Sequence, residues 1–329
     1  MVTPVTVSYL LAIIATPLVI HFHLLPTLFA GLAVHVLTVK LARRLPARWG
    51  GASQKLSLSV IMLIVIGGMI GAGTGLWAFL HGDKGMAALL AALAETLENL
   101  KRTLPESLTV SVPATIEELR EEFVKLLREN GNRISSAGMA GLKTFVHIIF
   151  GMVIGGMTAL HSFNRDREWP ALLAAMHDRT VALAVAFDKV VFAQVKISAL
   201  NTALTFIFLV LILPIFGIHL PLLTVLIPLT FLTGLLPVVG NLISNTAIVL
   251  ISLGVSAGAG VASLVFLILI HKLEYFTNAR IVAGEVHANA WELICAMVAL
   301  EAFFGLPGLV AAPVAYAWLK GELRTRGMI

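Results

Sequence analysis

Glu274, Glu292 and Glu301 are acids set in or beside apolar sequence, and such groups are where a membrane protein can move protons or ions. Glu301 lies nine residues beyond Glu292, about 13 Å along a helix at roughly 1.5 Å per residue. That drop carries it into the hydrocarbon zone. There it reads as a proton-exchanging acid or as an acid packed against Asn or Thr in a helix bundle. Glu274, followed by Asn278 and Arg280, reads as part of the same pathway or as half of a surface ion pair worth little. A second group surrounds a Gly/Pro interruption, Thr230-Phe-Leu-Thr233-Gly-Leu-Leu-Pro237-Val-Val-Gly240-Asn241, with Asn245 one turn on. Thr230, Thr233, Asn241 and Asn245 would give neutral hydrogen bonds to an uncharged polar solute. Carbonyls freed around Pro237 and Gly240 would instead coordinate a monovalent cation. Pro307 stands in a second interruption of the same kind, Phe303-Phe-Gly305-Leu-Pro307-Gly308. Paired breaks in two parts of a membrane protein point to a binding site.

Other chemistry lacks its motifs. There is no Gly-x-Ser-x-Gly, no paired His/Glu metal spacing and no phosphate-binding loop, so the chain reads as neither an enzyme nor a holder of metal or cofactor. Any work it does would draw on gradients or on a partner. His21 and His23 read as interfacial, because their neighbourhood offers no further ligands. Cys295, the single cysteine, reads as a small packing residue. No groove-reading motif points to nucleic acid.

The elements that would position these residues follow from composition. Of 329 residues 58% are hydrophobic and 12% charged, with a mean hydropathy of +0.95. Soluble domains carry roughly 25% charge. The pattern is that of an all-α, polytopic membrane protein with broken or re-entrant helices, whose first partner is the lipid bilayer. Long apolar runs argue against a β-barrel. Residues 1–82 read as N-terminal membrane helices: two short apolar pieces divided at His21–Pro26, then Leu56–Gly82. The pieces are either two short spans or a hairpin. Lys40, Arg43, Arg44, Arg48 and Lys55, with no acid among them, place their segment in the cytoplasm. Gly67, Gly71 and Gly75 share one helix face, as do Gly151 and Gly155, and such faces suit close helix packing within or between subunits. Residues 83–138 read as an extramembrane helical hairpin. Residues 139–196 read as a span followed by a cytoplasmic interfacial helix. Residues 197–329 read as the C-terminal core, where Ile197–His271 carries no Asp, Glu, Lys or Arg. Its last span is expected from about Trp291 to Trp318, with the tail inside and the connector after His271 outside.

The C-terminal half carries, in order, Gln194 before a long span, Leu236-Pro237-Val-Val-Gly240, Leu273-Glu274, Asn278-Ala-Arg280-Ile-Val and Phe304-Gly305-Leu-Pro-Gly308-Leu-Val-Ala-Ala-Pro313. In these motifs and their order it resembles the autoinducer-2 exporter family of bacterial membrane proteins. The chain departs from it at Ala279-Arg280, where the family has Pro-Lys or Pro-Arg, and at Ala283 before Gly284. The resemblance implies an inner-membrane transporter of seven or eight spans, homo-oligomeric and pentameric. Family members are linked to export of autoinducer-2 and to sodium (lithium)/proton antiport. Three functions stay open: an exporter or channel for a small polar solute, a cation/proton antiporter, and a membrane scaffold that transports nothing.

Overall fold

A computed structural model describes residues 3–49, 51–81, 98, 125, 131–161, 169–236, 239–286 and 289–328. The described residues contain no strand and are almost entirely helical. Among them five helices are long and apolar enough to cross a membrane: Pro4–His21, Leu25–Arg44, Gly51–Gly75, Gly138–His161 and Ala171–Ile215. The chain is an all-α, polytopic membrane protein. The expected hairpin over 83–138 lies almost wholly outside the described residues.

Helix α1, Pro4–His21, starts with Pro4 at its first position and Thr3 as its cap, the hydroxyl accepting from the Thr6 N–H at 3.2 Å. A turn with His23 at φ 59° leads into α2, Leu25–Arg44, so the first forty residues form two helices. Arg43 and Arg44 fill the last turn of α2, where cations suit the helix dipole. Next come α3, Gly51–His81, and α4, Gly131–His161. Helix α5 is Ala171–Phe206, carried on through a π-helical turn at Ile207–Ile212 to Ile215. It shows no stop at Lys196, where the sequence suggests that an interfacial helix gives way to a span. The apolar stripe of residues 172–191 and the apolar run that follows are one helix. The remaining helices are α6, Leu223–Gly234; α7, Val239–Val255; α8, Ala257–Val286; α9, Ala290–Phe304; and α10, Leu306–Thr325.

The described parts fall into two compact units. One draws on Met1–Ile70, Ala137–Phe192 and Val282–Ile329. Leu32 and Val36 of α2, Ala184 and Phe187 of α5 and Val314 of α10 are its core, with Phe29 edge-on to Phe187 at 5.4 Å. Gly151 and Gly155 of α4 lie against α2: a Cβ on either would fall on the carbonyl oxygen of Thr27 or Gly31. The partner of that small-residue face is therefore Thr27 and Gly31 of α2. A Cβ on Gly67, Gly71 or Gly75 would meet nothing within 4 Å.

In this unit α9 and α10 form an antiparallel hairpin. Gly305, at φ 64°, reverses the chain, a conformation that L side chains rarely adopt. Just past the turn Gly308 meets the Leu300 carbonyl closely. At the open end Lys320 and Tyr316 of α10 both donate to the Glu292 carboxylate of α9. The expected single span from Trp291 to Trp318 is thus a helix pair whose two ends lie together. The residues that open α9 and the C-terminal turns of α10 therefore share one end of the pair.

The other unit draws on Gly71–Ser136 and Ala193–Ile281. Phe208, Leu209 and Leu213 at the end of α5 pack with Leu226, Ile248, Ile251 and Leu267 of α6, α7 and α8. Phe208 stacks on Phe266 at 3.8 Å. Gly217, at φ 75°, turns the chain after α5. Ser256 alone separates α7 from α8 and caps α8 by accepting the Ala259 N–H at 3.0 Å. The polar connector expected after His271 is the helical continuation of α8.

Candidate functional site

In the second unit α6 and α7 form a hairpin whose turn is seated on one face of α5. Gln194, Ser198, Asn201 and Thr205 recur at helical spacing and form that face. The last carbonyls of any helix lack intrahelical donors. Here α5 supplies them. Gln194 Nε2 donates to the Gly234 carbonyl at 2.7 Å, and Ser198 Oγ donates to the Phe231 carbonyl at 2.6 Å. One turn further, Asn201 Nδ2 donates to Asn241 Oδ1 at 3.3 Å, which ties the start of α7 to the same face. The approach is tight. A Cβ on Gly234 would lie 2.6 Å from Ser198 Oγ, and one on Gly240 would fall on the Thr233 carbonyl.

Ser198, Asn201, Thr205 and Thr230 are buried. Thr230 and Thr233 each donate back to their own helix, to the carbonyls of Leu226 at 2.8 Å and Leu229 at 2.7 Å. Ser244 does the same at Gly240. Thr205 differs: its buried hydroxyl has no hydrogen-bond partner among the described residues. The face of α5 is therefore a row of amide and hydroxyl groups, without charge, opposite a helix end whose carbonyls it holds. Such a row can hydrogen-bond a neutral polar molecule, or release carbonyls to a cation.

Of the residues singled out in the sequence, Thr230, Thr233, Gly240 and Asn241 are at or beside this turn, and Asn245 is half-buried one turn along α7. Pro237 lies outside the described residues. Glu274 and Asn278 fall on α8, and their side chains are also outside the description. Glu301 and Pro307 belong to the first unit, on either side of the α9–α10 turn. Glu301 is exposed and its side chain makes no hydrogen bond or ion pair among the described residues; its backbone carbonyl accepts the Gly305 N–H at 2.6 Å. Among the described residues no group of three or more His, Cys, Asp or Glu could hold a metal ion.

Ser198 and Asn201 are the residues that sequence reasoning missed. Their signal was available as polar positions four and seven residues after Gln194 in a charge-free helix. A second polar cluster was also missed, in the first unit. Tyr9 donates to Glu322 Oε2 at 2.7 Å, Arg179 donates to both, and Arg326 Nε donates to the Tyr9 hydroxyl at 3.2 Å.

A stretch of 126 residues, 38% of the chain, is 32% identical to a Bacillus subtilis (strain 168) protein named "Putative transport protein YdbI". The match covers 34% of that protein, so the chain spans about a third of the length of the curated relative it matches. No family model matches the chain, and no solved structure matches it.

Proposed function

We propose that this chain is a membrane transporter or channel for a small polar solute, with the α6–α7 turn on α5 as its working part. The observation that carries this reading is the capping of the end of α6 by Gln194 and Ser198. A helix that ends inside apolar sequence leaves backbone carbonyls that lipid cannot satisfy. Binding them with side chains rather than with continuous helix makes the arrangement exchangeable. Each such bond contributes about 1 kcal/mol net, so a solute hydroxyl can replace it at little cost. The partial likeness to a protein named for transport supports the same class. The resemblance to the autoinducer-2 exporter family makes a small polyhydroxylated solute the first candidate, the bacterial inner membrane the location, and a homo-oligomer, pentameric by that resemblance, the assembly.

The test is flux through vesicles containing the purified protein, comparing small polyols with sodium and lithium. Under this reading a Gln194→Leu, Ser198→Ala double variant changes polyol flux by at least tenfold while sodium and lithium stay at background. A Gly240→Leu variant that is folded and keeps full flux would remove the turn from the pathway and favour a scaffold.

Glu301 favours a second reading, cation/proton antiport. It is an exposed carboxylate beside a hairpin turn, and acids within membrane segments usually serve ion or proton pathways. Under antiport, Glu301→Gln abolishes proton-coupled sodium or lithium flux; unchanged coupled flux ends that reading.

A further inference from the structure

A cavity of about 410 Å³ lies within the first unit, walled by α1, α2, α5 and α10. It runs along α1 from Ser8 to Val19, about 16 Å at roughly 1.5 Å per residue. That is about half the ~30 Å thickness of a bilayer's hydrocarbon core, the depth of one leaflet. Most of its wall is hydrocarbon, with Leu11, Ala15, Leu28, Phe29, Leu183 and Val314 prominent. The hydroxyls in the wall do not make it polar: Ser8, Thr16 and Thr180 each donate to a carbonyl of their own helix. A water would find no free donor among these hydroxyls.

Arg179 and Trp318, which also line the cavity, carry the unused polar groups. Arg179 Nε and Trp318 Nε1 are buried N–H donors with no acceptor among the described residues. The Arg179 guanidinium belongs to the Tyr9 cluster, where Arg179 and Arg326 face one acid, Glu322, leaving a net positive charge. Glu322 Oε1 is likewise buried without a partner and can accept from a hydroxyl.

We propose that this cavity is a site for one acyl chain of an anionic phospholipid, its phosphate drawn to the positive charge of the Arg179–Arg326 cluster at the Trp318 end. The length selects a chain of one leaflet over a compact solute. The dry wall selects hydrocarbon, and the positive cluster selects an anionic head.

The test uses the full-length protein with tryptophans 49, 77, 169 and 291 replaced by phenylalanine, leaving Trp318. It is reconstituted in phosphatidylcholine vesicles and titrated with lipid brominated on the acyl chain. Brominated phosphatidylglycerol should quench Trp318 saturably, at about fivefold lower mole fraction than brominated phosphatidylcholine, as expected for one basic group acting on an anionic head. Ala15→Phe, which narrows the slot and leaves the polar cluster intact, should make quenching by the two lipids equal. Equal quenching by both lipids in the unaltered cavity overturns the proposal, whatever the variant does. So does saturable quenching by a brominated free fatty acid with none by phosphatidylglycerol.

Discussion

Arg179 and Glu322 show what one buried side chain can demand of its surroundings. Their side chains are 13% and 5% exposed, and Tyr9 bridges them as an acceptor to one and a donor to the other. The Arg179 guanidinium also lies 4.4 Å from the centre of the Tyr9 ring. A buried charge left without its partner costs about 3–5 kcal/mol. Glu322→Gln should therefore lower the unfolding free energy by about that amount, seen as a marked fall in thermal stability in detergent. At Gly151 the demand is spatial, since any side chain meets the Thr27 carbonyl. Gly151→Leu should cost about 1–3 kcal/mol through forced separation of α4 from α2. The glycine pair was legible in the sequence because small-xxx-small is a local pattern. The Tyr9 cluster was not, because Tyr9 and Glu322 are 313 positions apart and no local signal joins them.

At the scale of elements, both Gly/Pro interruptions visible in the sequence became hairpin turns. The sequence located them as breaks within apolar spans, not as reversals. Hydropathy reports which residues suit lipid, and carries no information on whether a helix continues or doubles back. The reversal of α9 into α10 depends on a left-handed Gly305 and on Glu292 meeting Lys320 and Tyr316, which are conformational and long-range facts. Glu292→Lys should loosen the open end of this pair, and Glu292→Lys with Lys320→Glu should recover most of the lost thermal stability. A double variant no better than Glu292→Lys alone would show that the pair contributes little. The length of α5 was hidden for a related reason: its charged N-terminal half and apolar C-terminal half read as different environments, although no helix-stopping residue lies between them.

For the whole molecule, composition sufficed for the class, because so little charge excludes a soluble fold. It left open how the outer faces are covered. Helix α3 keeps Leu63, Ile64, Ile70 and Trp77 exposed, and its Gly67–Gly71–Gly75 face is open. If copies of the chain assemble through that face, Gly71→Leu should shift the detergent-solubilised protein to smaller species in native mass spectrometry, while Gly141→Leu, equally open on α4, should not.

The doubling back at Gly305 has a consequence for the parity of the chain. A continuous rod from Trp291 to Trp318 would count as one crossing of the bilayer; two antiparallel arms joined at Gly305 count as an even number, none or two. Every topology deduced by tallying apolar windows is then off by one from that point on. A membrane-impermeant thiol reagent that labels a cysteine introduced at Asn289 should label one introduced at Met328 from the same face, in a variant with Cys295 replaced by serine.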